Sequence, residues 1–192
     1  MKSIEFYKKI IQKENMMSDI LLQHLKIKSF PKGSLILRQG QTLEEIYILV
    51  KGRTKVCHTT ANGRTLLCAF TQAISIIGEV EFFHQQDVIS DIYALEECIC
   101  FYLPVCQYRN LIYDDLLFMK YLGYIATMKL YHSNLNNSIS VNYPVENRLA
   151  SYLISCHHEK IIDENFVSVA EMIGCSYRQL QRTLNDFIKK IY

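Results

Sequence analysis

The chain has 192 residues, 49% hydrophobic and 21% charged, enough for one large domain or two small ones with an ordinary packed core. Lys and Arg number 21 against 19 Asp and Glu, and a net charge of +2 excludes a polybasic coat protein and an acidic disordered tail. No apolar run reaches the roughly 18–20 residues that cross a bilayer, and Lys and Glu interrupt the first nine residues where a signal peptide would be apolar. A soluble cytoplasmic protein without membrane partners is expected. Seven cysteines stand at 57, 68, 98, 100, 106, 156 and 175. Their odd number and the lack of a CxxC pair predict buried reduced thiols, not a disulfide framework.

Taken along the chain, residues 4–25 carry Ile4, Tyr7, Ile11, Met17, Leu21 and Leu25 at helical spacing. Pro31-Lys32-Gly33 turns the chain into short β-rich runs at 35–37, 46–50, 54–60, 65–70 and 98–103. Glycines fall between or beside them, and Asn62-Gly63 predicts a type I′ hairpin turn. Many short strands with frequent turns predict an antiparallel sandwich or barrel-like roll. After Pro104 helical periodicity returns. Phe118, Tyr121, Ile125, Met128, His132 and Leu135 are spaced three and four apart, the pattern of a helix seam facing a partner. Leu116, Met119, Leu122, Ala126 and Leu130 form a second stripe, so one face is expected on the chain's own roll and one on another subunit. Polar residues 138–143 end at Pro144, where a new helix starts.

Residues 167–188 carry the functional signal. Ser168 with Glu171, and Ser176 with Gln179, are two capping boxes, separated by Gly174, which suits a left-handed helix stop. Leu180, Leu184, Phe187, Ile188 and Ile191 mark one face of the second helix; Tyr177, Arg178, Gln181, Arg182 and Asn185 mark the other. Two capped helices around a tight glycine turn predict a helix-turn-helix whose second helix enters a DNA major groove. Arg matches guanine O6 and N7, Gln matches adenine N6 and N7, and Ser176 and Tyr177 at the helix start suit a phosphate. The segment from Ser176 to Tyr192 holds Arg178, Arg182, Lys189 and Lys190 against Asp186 alone, a local +3.

The whole chain resembles the Crp/Fnr superfamily of bacterial transcription regulators. The matching landmarks are Lys32-Gly33-Ser34-Leu35-Ile36, Gly40, Ile46 to Gly52, Asn62-Gly63-Arg64, Ile77-Gly78-Glu79, Ala94-Leu95-Glu96, Leu103-Pro104 and Arg148-Leu149-Ala150. The run Glu96-Glu97-Cys98-Ile99-Cys100 and the overall spacing look most like its YeiL-like branch. The resemblance implies an α+β fold: a cyclic-nucleotide-binding-like antiparallel β-roll, a dimerising helix at about 113–137 and a C-terminal helix-turn-helix domain. The expected domains are 1–137 and 138–192, the second stopping short of the family's two-stranded wing. Expected partners are double-stranded DNA read as an inverted repeat, a second copy of the chain through Phe118, Tyr121, Ile125, Met128 and Leu135, and RNA polymerase for an activator.

Departures from the family pattern matter as much. Gly78 and Glu79, with Ser90, mark the effector pocket, and Glu79 stands where the family holds a ribose hydroxyl. Yet no Arg lies between Arg64 and Arg109 to neutralise a cyclic phosphate, and Val88, Ile89 and Ser90 occupy its place. Cyclic AMP is therefore not an expected ligand. Residues 1–56 hold no Cys for an N-terminal iron–sulfur cluster. An iron–sulfur or thiol redox role for Cys98, Cys100 and Cys106 stays open beside the larger expectation of buried strand thiols. Many family members carry an acid where Arg178 stands, so their half-site preference does not transfer. Two other classes remain to compare. One is a sensor or oligomerisation protein whose truncated C-terminal domain binds no DNA. The other is a cupin-type enzyme, and scattered His58, His84 and His132 without a His-x-His metal set argue against it. No enzyme is expected.

Overall fold

The computed structural model of the chain describes residues 4–63, 65–156 and 165–191. Helix α1 (Ile4–Lys13) buries Tyr7 and Ile11, four residues apart on one face. The expected helical stretch at 4–25 is interrupted: Asn15 turns left-handed at φ +50, and a short α2 (Asp19–Leu22) restarts behind Ser18, whose side chain accepts from Leu21 N–H.

Among the described residues, eight strands follow. They are β1 (Lys26–Phe30), β2 (Leu35–Leu37), β3 (Glu45–Lys51), β4 (Arg53–Thr59), β5 (Thr65–Gln72), β6 (Ser75–Ile77), β7 (Asp91–Ala94) and β8 (Cys98–Pro104), with helix α3 (Glu79–His84) between β6 and β7. They form two four-stranded sheets, ordered β1-β8-β3-β6 and β2-β7-β4-β5. Strands β3 and β8 are near-continuous apolar runs because each sits inside its sheet, and they pair antiparallel from Glu45 with Pro104 to Lys51 with Ile99. Strand β1 pairs β8 from Lys26 with Tyr102 to Phe30 with Cys98; it is an edge, exposed at four of five positions, and Lys26 and Lys28 discourage further pairing there. The loop between β4 and β5 is longer than the expected type I′ turn. Among its described residues only Gly63 is left-handed, at φ +80, and its N–H donates to Thr60 C=O at 2.9 Å. Asn62 instead accepts from the Thr60 hydroxyl through Oδ1 at 2.5 Å, a local bond that competes with the primed turn.

Helix α5 (Leu116–Asn142) is the helix expected at about 113–137, starting later and running further, and a separate helix α4 (Val105–Asp114) precedes it. The break is Asp115, buried and extended at φ −83, ψ 91. One oxygen accepts from Phe118 N–H at 2.9 Å and so caps α5; the other accepts Ser18 N–H at 3.0 Å and Ser18 Oγ–H at 2.6 Å. Helices α6 (Val145–Cys156), α7 (Phe166–Met172) and α8 (Tyr177–Ile191) complete the chain. Two compact units result, residues 1–56 with 70–130, and residues 57–69 with 131–192. In the first, Phe101, Phe82 and Phe118 are fully buried with Ile46, Ile48, Leu49, Ile76 and Leu103. In the second, Leu149, Tyr152, Val169, Ala170, Ile173 and Leu180 are buried.

Candidate functional site

In the roll, Gly78 precedes α3 and Glu79 opens it, where the negative side chain complements the helix N-terminus. Glu79 is only 3% exposed, and a buried carboxylate needs a partner. Its partner is Lys129 of α5, whose Nζ donates to Glu79 Oε1 at 2.7 Å and to Ile76 C=O at 2.7 Å. The expected pocket carboxylate is thus committed to an internal ammonium. Ser90 is half-buried in the loop before β7, and among the described residues no hydrogen bond joins it to Glu79. Glu81 holds the same loop by accepting Ile89 N–H at 3.2 Å. Lys129 escaped the sequence reading, although a signal existed: between Lys120 and Glu146 it is the only charged residue.

Helix α5 corrects the expected seam. Phe118 is fully buried, and Tyr121 and Ile125 pack half-buried against the same core, so these three face the chain's own roll. Met128 is half-buried; the Leu135 side chain lies outside the described residues. The open face instead carries Leu116, Tyr124 and Leu130, 65%, 58% and 60% exposed, with Lys120 and Thr127. Gly123 lies among them, and a Cβ there would meet nothing within 4 Å. The roll draws on both expected stripes, since Leu122 is fully buried and Met119 packs against the same core, and spacing alone does not say which members of each stripe stay open.

Among the cysteines, Cys98 and Cys100 are fully buried on β8. Burial raises their thiols, to about 11 for Cys98 and about 12 for Cys100, so the thiolate that redox and metal chemistry needs is disfavoured. Cys106 is exposed at the start of α4, and Cys68 is exposed too, against the expectation of burial. Among the described residues no group of three or more His, Cys, Asp or Glu is placed to hold a metal ion.

The C-terminal helices follow the sequence closely. Helix α7 starts at Phe166, two residues before the expected cap Ser168, because Asn165 does the capping: its Oδ1 accepts Val167 N–H at 2.9 Å. The Ser168 and Glu171 side chains lie outside the described residues. Gly174 ends α7 at φ +69, and Cys175 N–H donates to Ala170 C=O at 2.9 Å, the six-to-one bond of a left-handed helix stop. Ser176 N–H donates to Gln179 Oε1 at 2.9 Å and Ser176 Oγ accepts Gln179 N–H at 3.2 Å, the reciprocal box expected there. Leu180 and Thr183 of α8 are buried and Leu184 and Phe187 half-buried. Ile188, expected on that inner face, is 55% exposed. Tyr177, Arg178, Gln181, Arg182 and Asn185 are all exposed. Tyr177 Oη accepts Gln181 Nε2–H at 2.6 Å along the helix, whereas Arg178 and Arg182 have no ion-pair partner among the described residues. Arg148 of α6 also escaped the sequence reading as a site residue. Its Nη1 donates to Ile173 C=O and, at 3.3 Å, to Gly174 C=O.

Residues 27–115 match the model of the cyclic nucleotide-binding domain family. The chain is 34% identical over 153 residues to Regulatory protein YeiL of Escherichia coli O157:H7, covering 80% of this chain and 70% of that one. It is 20% identical over 177 residues to a CRP-like cAMP-activated global transcriptional regulator of Mycobacterium tuberculosis, covering 87% and 79%. Among solved structures, the c-di-GMP responsive global regulator CLP of Xanthomonas campestris superposes with a TM-score of 0.73 at 15% identity, over 88% of this chain and 89% of that one. A CRP/FNR-family transcriptional regulator from Thermus thermophilus gives 0.72 at 17% identity, over 86% and 87%. The antiparallel sheets with their flanking helices therefore have the cyclic-nucleotide-binding-like architecture.

Proposed function

The chain belongs to the Crp/Fnr superfamily of transcription regulators, and from that premise we propose that it works as a homodimer that reads an inverted repeat in double-stranded DNA through α8. The carrying observation is the outer face of α8, where Arg178 and Arg182 are exposed behind a capped helix start, with no ion-pair partner among the described residues. They lie four residues apart, about 6 Å along the axis, a span that covers neighbouring base pairs. Arg178, Gln181 and Arg182 take base edges; Tyr177 and the helix N-terminus take phosphate. The Ser176 hydroxyl is engaged with Gln179, so its part is to hold the cap rather than to bind a phosphate itself. The second copy docks on the open face of α5, on Leu116, Gly123, Tyr124, Thr127 and Leu130. A chromosomal target places the protein in the cytoplasm.

Cyclic AMP is not the signal in this reading, because Glu79 is held by Lys129 and no Arg lies between Arg64 and Arg109. A ligand at a hundredfold excess over its Kd adds about 2.7 kcal/mol to stability. Cyclic AMP is expected to leave the melting temperature unchanged. A concentration-dependent rise would show that another group takes the phosphate.

Selection of the full chain against a random duplex library tests the reading. The expected product is an inverted repeat with half-sites one helical turn, about 34 Å, apart. Arg178→Ala should then cost about 1–3 kcal/mol and relax one position in each half-site. A folded dimer that prefers no sequence over random DNA would leave a sensor or oligomerisation protein instead.

A further inference from the structure

Arg148 stands on α6, outside the helix pair assigned to DNA, yet its head group is spent on the turn of that pair. The last carbonyls of a helix have no partner within the helix, and its C-terminus favours a cation. The Arg148 guanidinium meets both needs at the end of α7, donating through Nη1 to the carbonyls of Ile173 and Gly174. It also packs close: Nη1 lies 3.0 Å from where a Cβ on Gly174 would stand, so it fits against the left-handed residue that makes the turn. Its charge reaches the next residue as well, where it opposes the rise that burial imposes on the Cys175 thiol. Helix α8 begins at Tyr177, and Ser176 is its cap. A shift of the carbonyls at 173 and 174 is therefore passed directly into the first turn of α8, which carries Tyr177 and Arg178.

We propose that Arg148 is a positioning residue for DNA recognition: it locks the turn between α7 and α8 and so aims Tyr177, Arg178, Gln181 and Arg182, without touching DNA itself. This rests on the reading of α8 as the DNA reader. The guanidinium suits the task better than an ammonium because its donors are held in a rigid plane. Fixing the turn governs specificity more than affinity, since base edges demand a set geometry and phosphates tolerate a looser one.

The full chain with Arg148→Met and Arg148→Lys tests this by two readouts. The first needs no DNA. In Arg148→Met, amide hydrogen exchange at Cys175 and Gln179 should quicken by about tenfold or more, as expected for loss of a charge-assisted bond. Exchange at Ile112 and Phe118, in the roll unit, should stay as it was. The second compares the selected inverted repeat with random duplex. Binding to the repeat should weaken about tenfold, while binding to random duplex and its salt slope should hold. Arg148→Lys, which keeps the charge and its N–H donors but not the rigid plane, should restore part of the preference. Unchanged exchange at the turn overturns the inference, even with the DNA reading intact. So does faster exchange with undiminished preference for the repeat. An equal loss on both DNAs, with the salt slope reduced by about one, would make Arg148 a phosphate contact instead. A wild-type chain that prefers no repeat overturns the DNA reading itself, and the exchange result then still reports whether Arg148 holds the turn.

Discussion

The roll and the C-terminal helix pair use their charges in opposite ways. In the roll, Glu79 is buried, and Lys129 and the α3 N-terminus answer it from inside the same unit. Lys28 is similarly engaged: it pairs with Glu45 at 3.1 Å and lies 5.5–5.8 Å from the ring centres of Phe30, Tyr47 and Tyr102. On α8, Arg178 and Arg182 have no such answer among the described residues, although Asp186 lies one turn beyond Arg182. A charge satisfied within the chain contributes to structure. One left solvated at low cost on a rigid, capped helix is available for a partner. The contrast is what favours α8 in the proposed reading, and it turns Glu79 from an expected ligand contact into a tie between α3 and α5.

The contrast is easiest to break on α5, where both behaviours share one helix. Phe118→Ala empties a filled core site and should cost about 3–5 kcal/mol in chemical denaturation at any protein concentration. Tyr124→Glu, on the open face, should leave the roll folded, shift sizing toward monomer and make melting depend on protein concentration. A reversal of the two results would return the seam to the Phe118 face. Next comes the tie itself. Lys129→Met strands a buried carboxylate and should cost about 2–3 kcal/mol, below the range for a fully buried pair because the ammonium keeps contact with water. Adding Glu79→Gln should recover part of that loss. If Lys129→Met matches the wild type in urea, the pair contributes nothing to stability.

The smallest effect concerns the thiols of β8. Their folded values, about 11 and about 12, lie above the ordinary 9.0, so the neutral thiols favour the folded state. That stability is fully present below pH 9 and is lost as pH rises through 11 to 12. At pH 10 each should already cost about 1 kcal/mol, read as a falling urea midpoint that Cys100→Ala makes shallower. A flat midpoint between about pH 8 and 10 would place these thiols in contact with water.

What the sequence made legible follows from how local each signal is. The α7–α8 turn was readable because Gly174, Ser176 and Gln179 settle it within six residues. Strands β3 and β8 were readable as apolar runs. Strand β1 was not, since an edge with four exposed positions shows no alternation, and β6 was hidden because three residues, Ser75–Ile77, set no period. The facing of α5 was illegible for a different reason. That helix is apolar nearly all round, and its orientation is chosen by partners distant in sequence, Ile76 and Glu79 for Lys129, and Ser18 for Asp115. Arg148 was hidden likewise, since its target carbonyls lie 25 and 26 residues ahead.

Asp115 has a consequence for how the chain is made. Ser18 waits for it across 97 residues, and β1 waits about 70 residues for β8. At a synthesis rate of about 5–20 residues per second, the N-terminal segment spends roughly 5–20 s outside the ribosome before Asp115 emerges. During that interval Ile11, Met16 and Leu21, all fully buried in the finished fold, have nowhere of their own to go. The order of synthesis thus leaves α1 and α2 without their Asp115 contact until the α4–α5 corner has emerged, although they are the first elements made.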